Sequence, residues 1–258
     1  MTSEDDRIAA ELAEQAGQRL LDLRASGGSP DDLRKAGDRL SHEFLAAELA
    51  ARCPGDAVLS EEGRDDPVRL SAKRVWIVDP LDGTREFGEA GRTDWAVHVA
   101  LWERGSLTAG AVALPAQGQV LNTAEPPVVP ATAPGGPGLS GRGLRVVVSR
   151  TRPPAFLERL SELTGVILVP WGSAGAKAAA VMQGKADAYI HAGGQYEWDS
   201  AAPVAVAQAA GLHASRIDGS ALEYNQPDPV LPDILICPTV LARPFLDAIG
   251  QARAAQTE

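Results

Sequence analysis

The sequence predicts an α/β protein in two halves, an α+β N-terminal half over residues 1–137 and an α/β C-terminal half over residues 138–258. Three observations carry that prediction. Residues 125–143 are rich in Pro, Gly and Ala, the composition of a linker or long surface loop. Before this stretch, two helical patterns precede a series of short apolar strands. After it, strands and helices alternate as they do in an α/β unit.

In the first half, Ser3 and Asp6 make a capping box for a helix carrying Ile8, Leu12, Ala16, Leu20 and Leu23. Gly27-Gly28-Ser29-Pro30 ends it, and the charged run Asp31 to Asp38 reads as a connection to a second helix with Leu40, Phe44, Leu45 and Leu49. Cys53-Pro54-Gly55 stops that helix. Ala57 to Ser60 is a short strand, Val75 to Val78 a buried one, and Trp95–Leu101, Leu107–Leu114 and Gly118–Asn122 complete a largely antiparallel sheet. His98 falls within one of these strands and reads as a packed residue.

In the second half, strands are expected at Leu144–Val148, Val166–Val169, Ala186–His191 and Ile234–Cys237. Helices are expected at Pro153–Leu163, from Gly172-Ser173-Ala174-Gly175 through Met182, from an Asp199 cap to Gly211, and at Leu241–Ala255. No internal repeat is visible.

A chain of 258 residues can bury a sizeable core, and 45% hydrophobic with 22% charged residues is ordinary for a globular protein. No apolar stretch is long enough to span a bilayer, and the acidic start Met1 to Asp6 is the opposite of a secretory leader. A cytoplasmic protein without membrane contact is the expectation. Cys53 and Cys237 have neither disulfide nor metal-site spacing and are expected as buried thiols. The formal charge of −10 argues against nucleic-acid polymer as a partner. A small phosphorylated ligand stays open, because a bound cation inverts the local field.

The chemistry concentrates in Asp79-Pro80-Leu81-Asp82-Gly83-Thr84. Pro80 lacks an N–H and favours an extended Asp79, so the strand is expected to stop with a carboxylate at its mouth. Asp82-Gly83-Thr84 then reads as a turn opening a helix whose free N–H groups suit an anion. Two carboxylates, the Leu81 carbonyl, a hydroxyl and an amide cradle are parts for a hard divalent cation facing a phosphate. The same residues also suit a plain strand-to-loop turn. Leu81 to Thr84 is similar to the opening of haloacid-dehalogenase phosphatases, Asp-x-Asp-Gly-Thr. Their nucleophilic Asp corresponds to Pro80 here, and proline cannot attack phosphorus.

Other acidic groups at predicted element ends are Asp38, Glu61 in Glu61-Glu62-Gly63, and Asp199 in Trp198-Asp199. Each alone has an ordinary reading, a solvated surface carboxylate or a helix cap. Together with the central stretch and Gly172-Ser173-Ala174-Gly175, they resemble the inositol monophosphatase superfamily of lithium-sensitive, magnesium-dependent phosphatases. The likeness runs over nearly the whole chain.

That resemblance implies a layered αβαβα sandwich, a homodimer, and two or three Mg²⁺ ions per site. It implies Glu61, Asp79 and the Leu81 carbonyl around one ion, and Asp79, Asp82 and Asp199 around a second. Asp38 would stand near a third, weaker ion, and Thr84 would orient the attacking water. Glu62 joins Asp38 and Thr84 in the catalytic group, set behind the ligands. Gly83 and Thr84 amides, with Leu81 and Asp82 beside them, would face the phosphate.

Within the superfamily the stretch Thr84-Arg85-Glu86-Phe87 and the late Tyr196-Glu197-Trp198-Asp199 look like 3′(2′),5′-bisphosphate nucleotidases of the CysQ type. The implied activity is removal of the 3′-phosphate of 3′-phosphoadenosine 5′-phosphate, or of its sulfated relative, by metal-activated water. Ser149-Arg150-Thr151-Arg152 is similar to a basic segment, and Gly172 to Lys177 to a loop, that handle the remaining phosphate and nucleoside in those nucleotidases, so Arg150, Gly172, Ser173 and Lys177 would meet them, with His191, Tyr196 and Asp199 alongside. Inositol phosphatases tend to carry Glu where His191 stands. Inositol 1-phosphate or fructose 1,6-bisphosphate phosphatase is the alternative, and a phosphonucleotide-binding sensor is the non-enzymatic one. Lys35 departs from the family, which usually has Thr there, and the departure bears on the geometry expected at Asp38.

Overall fold

The computed structural model describes residues 3–130, 139–141 and 143–254, and the expected boundary between residues 137 and 138 lies outside the described residues. In chain order the first half comprises α1 (Glu4–Ala25), α2 (Pro30–Arg52), β1 (Ala57–Ser60), β2 (Arg74–Asp82), α3 (Thr84–Gly88), β3 (Ala96–Glu103), β4 (Ser106–Leu114) and β5 (Gln119–Asn122). The second comprises β6 (Arg145–Ser149), α4 (Phe156–Thr164), β7 (Ile167–Trp171), α5 (Ala174–Met182), β8 (Ala188–Tyr196), α6 (Glu197–Ala209), β9 (Leu212–Ser215), β10 (Val230–Pro238) and α7 (Thr239–Ala254).

Each half contributes one five-stranded sheet, ordered β1-β2-β3-β4-β5 and β7-β6-β8-β10-β9. In the first only the β1–β2 pair is parallel. In the second, β6 runs parallel to β7 and β8, while β10 is antiparallel to β8 and β9.

The layers follow from the side-chain alternation of the strands. On β2, Trp76 and Val78 face α1 and α2, in one apolar cluster with Leu12, Ala16, Leu20 and Leu45. Val75 and Ile77 face the other way, into a cluster built on α5 and α6 that reaches Tyr189 and Ile236 of the second sheet. The far side of that sheet packs Val146, Val148 and Ile190 on Phe156 and Leu160 of α4 and Phe245 and Ile249 of α7. The result is the αβαβα sandwich.

Helix composition tracks this position. α1 and α2 have one buried stripe each. α5 lies between the sheets with every residue buried, and α6 buries Ser200 through Ala207 without a break. A helix closed on all sides has no polar face, and Ala lets the sheets approach closely. At Gly110 on β4 a Cβ would stand 2.7 Å from the Cβ of Ala205, so this strand takes α6 only because it carries glycine there.

Four expectations change. The charged run Asp31 to Asp38 is the first part of α2, because Ser29 Oγ accepts the Asp32 N–H at 3.2 Å and Pro30 occupies the first turn. β2 does not stop at Asp79 but continues through Pro80 to Asp82. Asp199 is not the cap of α6; it lies in the first turn, and its Oδ2 accepts the Tyr196 N–H at 2.7 Å. Of the two free cysteines, Cys237 is buried and Cys53 only half-buried. The capping box of α1 forms as expected, with Asp6 N donating to Ser3 Oγ and Ser3 N to Asp6 Oδ2, both at 3.1 Å. Among the described residues no helix is long and apolar enough to cross a membrane.

Candidate metal and phosphate site

The site begins with an irregularity in β2. The register runs from Asp79 opposite His98 to Asp82 opposite Ala96, one extra residue on the β2 side. In a regular strand residues three apart face opposite sides of the sheet, so the bulge brings the Asp79 and Asp82 carboxylates to one face. Pro80 sits in the bulge, where its missing N–H breaks no ladder bond. That face is the one Val75 and Ile77 share, turned towards the second half. Asp199, from the start of α6, meets the pair there, and carboxylate oxygens of Asp79, Asp82 and Asp199 all lie within 4.8 Å of one another.

The electrostatics split the cluster. Burial, then the negative charges of Glu61, Asp82 and Asp199, push Asp79 well above the usual carboxylate range, against one opposing N–H from Leu81 at 3.0 Å. Burial and the Asp82 charge raise Asp199 to about 6. Glu61 is an exposed residue, yet its carboxyl reaches the cluster, and desolvation with the charges of Asp199 and Asp82 takes it to about 7. Asp82 goes the other way. Burial opposes its ionisation, but His98, Lys177 and the Ser173 hydroxyl hold it at about 2.

Asp82 also fastens the two halves together. It caps α5, accepting from Ser173 Oγ at 2.5 Å, Gly175 N at 2.6 Å and Ala174 N at 3.1 Å. The glycines of Gly172-Ser173-Ala174-Gly175 are explained by this contact. A Cβ on Gly172 would meet Glu86 Cγ at 2.3 Å, and one on Gly175 would meet His98 Nε2 at 2.1 Å. Gly83, with φ of 84°, makes the left-handed turn from β2 into α3.

Asp38 lies within α2, not at an element end, and still reaches the site. Gly37 is buried against Leu81 and Phe87, where a Cβ would come within 2.9 Å of each. This close approach sets Asp38 Oδ1 3.1 Å from Thr84 Oγ1, which is also 3.0 Å from the Leu81 carbonyl. Lys35 is exposed on the outside of the helix and does not disturb the contact. Burial, then the charge of Glu62, raises Asp38 to about 6, with the Thr84 hydrogen bond opposing. Glu62 itself is exposed.

Asp82 and Asp199 open onto a cavity of about 590 Å³ between the halves, whose lining does not include Asp38, Glu61, Glu62 or Asp79. Asp82, Gly83, Thr84, Arg150, Gly172, Ser173, Lys177, His191 and Asp199 all line it. Leu81 is buried behind it, and Tyr196 lies off the lining, stacked on Trp198 with centroids 4.7 Å apart. Arg150 is tied down, with Nε to Glu86 and Nη2 to Glu89, both at 2.6 Å. Lys177 is buried and donates to the carbonyls of Gly172 and, at 2.7 Å, Ser173. His191 donates from Nε2 to the Gly193 carbonyl at 2.7 Å, and burial lowers it to about 4, so it is neutral.

Sequence reasoning missed two contributors, Asp94 and a site role for His98, and took Arg150 where the basic segment Ser149-Arg150-Thr151-Arg152 also offered Arg152. Arg152 lines the cavity, exposed, beside Gly194 and without an ion-pair partner among the described residues. Asp94 accepts the Gly172 N–H at 2.7 Å and so sets the loop before α5. His98 is in the site, not merely packed: its Nε2 is 3.2 Å from Asp82 Oδ2. Its signal was a titratable residue in the middle of an apolar strand segment, Ala96 to Trp102.

A scan of protein families matches residues 3–248 to the model described as the inositol monophosphatase family. The chain belongs to the inositol monophosphatase family. Among its relatives, a Mycobacterium leprae protein named 3′-phosphoadenosine 5′-phosphate phosphatase is 52% identical, covering 96% of this chain and 94% of its own. The Escherichia coli K12 protein named 3′(2′),5′-bisphosphate nucleotidase CysQ is 30% identical over 83% of this chain and 92% of its own. The solved inositol monophosphatase II of Staphylococcus aureus superposes with a TM-score of 0.81 at 22% identity, covering 97% of this chain and 95% of that one, which establishes the fold. In this family member the cluster of Asp79, Asp82 and Asp199 is an oxygen-only donor set, and the negative charges of Glu61, Asp82 and Asp199 bear on Asp79. These residues fit a hard divalent cation.

Proposed function

We propose that this chain is a Mg²⁺-dependent phosphomonoesterase that removes the 3′-phosphate of 3′-phosphoadenosine 5′-phosphate, giving AMP and phosphate. The observation that carries the chemistry is the pairing of Asp38 with Thr84 at the edge of the carboxylate cluster. The name of the Mycobacterium leprae relative, matched over nearly its full length, supports the substrate.

Asp79, Asp82 and Asp199 would hold the cation, with Glu61 beside them and the Leu81 carbonyl in reach. When bound, it supplies positive charge to the phosphate and lowers the pKa of a water. Thr84 has one proton and two acceptors, Asp38 Oδ1 and the Leu81 carbonyl. Its oxygen is therefore free to accept from a water placed for in-line attack. As the water oxygen bonds to phosphorus and the ester P–O bond breaks, the water proton passes to Thr84 while the Thr84 proton passes to Asp38. A carboxyl titrating near 6 suits that exchange at neutral pH. The leaving 3′-oxygen is reprotonated from solvent. No covalent nucleophile is needed.

The remainder of the substrate occupies the cavity. A second phosphate needs a cation with spare donors, and Arg152 has them where Arg150 is held by Glu86 and Glu89. Neutral His191 offers a partner for the nucleoside, and one N–H of Lys177 remains beyond the two carbonyls it binds. The expected homodimer and cytoplasmic setting belong to the same proposal.

The test is phosphate release from 3′-phosphoadenosine 5′-phosphate with Mg²⁺, abolished by chelation and restored by added Mg²⁺. Tight binding of the nucleotide without release would instead support a sensor.

A further inference from the structure

Residues 61–73, between β1 and β2, carry Glu61 and invert the usual pattern of burial. Val68 is 69% exposed and Leu70 40%, while Arg69 between them is 1% exposed, the one buried residue of the stretch. Arginine is seldom buried unless its charge is paired. The main fastening of this stretch is therefore a guanidinium rather than apolar contact.

Arg69 stands in a short 3-10 turn, Pro67–Ser71, and its side chain makes four hydrogen bonds. Two brace the stretch from within, Nε to Asp65 Oδ1 at 2.6 Å and Nη2 to Asp65 Oδ2 at 3.0 Å. Two cross to the other half. Nη1 donates to Asn225 Oδ1 at 2.8 Å, and Nη2 to the Gln226 carbonyl at 2.9 Å. Asn225 Nδ2 returns a bond to the Arg69 carbonyl at 3.2 Å.

The receiving segment is tied in turn to the start of α6. Glu197 is buried and accepts the N–H groups of Asn225 and Gln226 at 2.6 and 2.7 Å, and its own N–H donates to the Pro229 carbonyl at 2.8 Å. Asn225 has φ of 60°, a left-handed turn that asparagine tolerates better than most residues. Glu197 stands two residues before Asp199. A continuous run of directed bonds thus joins the stretch that carries Glu61 to the helix start that carries Asp199, through Arg69, Asn225 and Glu197.

We propose that Arg69 is a positioning residue for Glu61, setting residues 61–73 against the start of α6 so that the Glu61 carboxyl meets the cluster of Asp79, Asp82 and Asp199. This rests on the metal-site reading above. An arginine that only braced the fold would have no energetic link to Glu61 in binding a cation.

The test is a double-substitution cycle, read by calorimetric titration of the metal-free full-length chain with Mn²⁺ in the absence of substrate. Glu61→Gln and Arg69→Ala are each expected to weaken Mn²⁺ binding about tenfold to a hundredfold, the range for disturbing a ligand or the group that orients it. The combined variant should bind no more weakly than Glu61→Gln alone, because Arg69 acts through that carboxylate. Losses that add, or an Arg69→Ala chain that binds Mn²⁺ as wild type does, overturn the proposal and leave the metal site standing. If Arg69→Ala does not fold, Asn225→Gly, which keeps the left-handed turn and removes only the side chain that Arg69 grips, is held to the same criterion. Unweakened binding by Glu61→Gln would remove Glu61 from the metal site, and no Mn²⁺ binding by wild type would remove the site itself. Either result overturns this inference with it.

Discussion

Thr84 Oγ1 stands 3.1 Å from Asp38 Oδ1, although 46 positions separate the two residues. The contact depends on Gly37, whose lack of a side chain lets α2 settle against Leu81 and Phe87. Under the proposed mechanism Thr84→Ala removes the hydroxyl that would hand the water proton on, and should lower kcat by about a hundredfold to ten-thousandfold with little change in KM. Thr84→Ser should restore most of it. A defect confined to KM would make Thr84 a phosphate-binding residue only.

Asp79→Asn should uncouple activity from stability. The substitution removes an anionic ligand and should cost at least about a hundredfold in kcat/KM at fixed Mg²⁺. It also removes a carboxyl whose ionisation is disfavoured in the folded state by burial and by the negative charges of Glu61, Asp82 and Asp199, a cost the unfolded chain does not bear at neutral pH. Scanning calorimetry in chelator should therefore show the metal-free variant melting above metal-free wild type. A variant that melts lower in chelator would mean that the Asp79 carboxylate is satisfied within the protein.

The pH dependence of the metal-free chain follows from the raised carboxyls. Asp38 and Asp199 near 6, Glu61 near 7 and a strongly raised Asp79 hold protons in the folded state that the unfolded chain has released near pH 4. The folded state binds more protons, so stability falls as pH rises between about 4 and 7. Melting temperature in chelator should drop across that window, and stabilisation by Mg²⁺ should be larger at pH 8 than at pH 5. A flat profile in chelator would show that the cluster is not strained by its charges.

Much of this was legible in the sequence because the site is local. The six residues from Asp79 to Thr84 announce both their chemistry and their turn, and the caps at Ser3 and the Pro-Gly stop after Cys53 are short-range signals. The bulge at Pro80 was not legible: whether proline ends a strand or is accommodated in it depends on the partner, here β3 and its register. Nor was the helical state of Asp31 to Asp38, where Ser29 and Pro30 outweigh a charged composition that reads as a connection. The place of His98 depends on packing between the halves, so nothing adjacent in sequence marks it, and of the two arginines in Ser149-Arg150-Thr151-Arg152 only the fold shows which is engaged. Arg150 and Lys177 carry the right charge, but only the fold shows that Glu86, Glu89 and two carbonyls already engage them.

That engagement separates the basic residues experimentally. Lys177→Ala should impair every substrate, because its ammonium ties the carbonyls of Gly172 and Ser173 that set the loop against Asp82. Arg152→Ala should spare monophosphates and cost a bisphosphorylated nucleotide roughly tenfold to a hundredfold in kcat/KM, one charge-assisted hydrogen bond to phosphate. Steady-state kinetics on one substrate of each kind decide it. Equal losses in Arg152→Ala would remove it from the second-phosphate subsite.

The most direct test of the whole account compares kcat/KM for 3′-phosphoadenosine 5′-phosphate and inositol 1-phosphate at saturating Mg²⁺. If the carboxylate cluster accepts any phosphate monoester, discrimination falls to the cavity, where the proposed function assigns Arg152 to a second phosphate and neutral His191 to the nucleoside. The account predicts a clear preference for the bisphosphorylated nucleotide, with phosphate released and AMP left behind. Equal turnover, or a preference for inositol 1-phosphate, would contradict it.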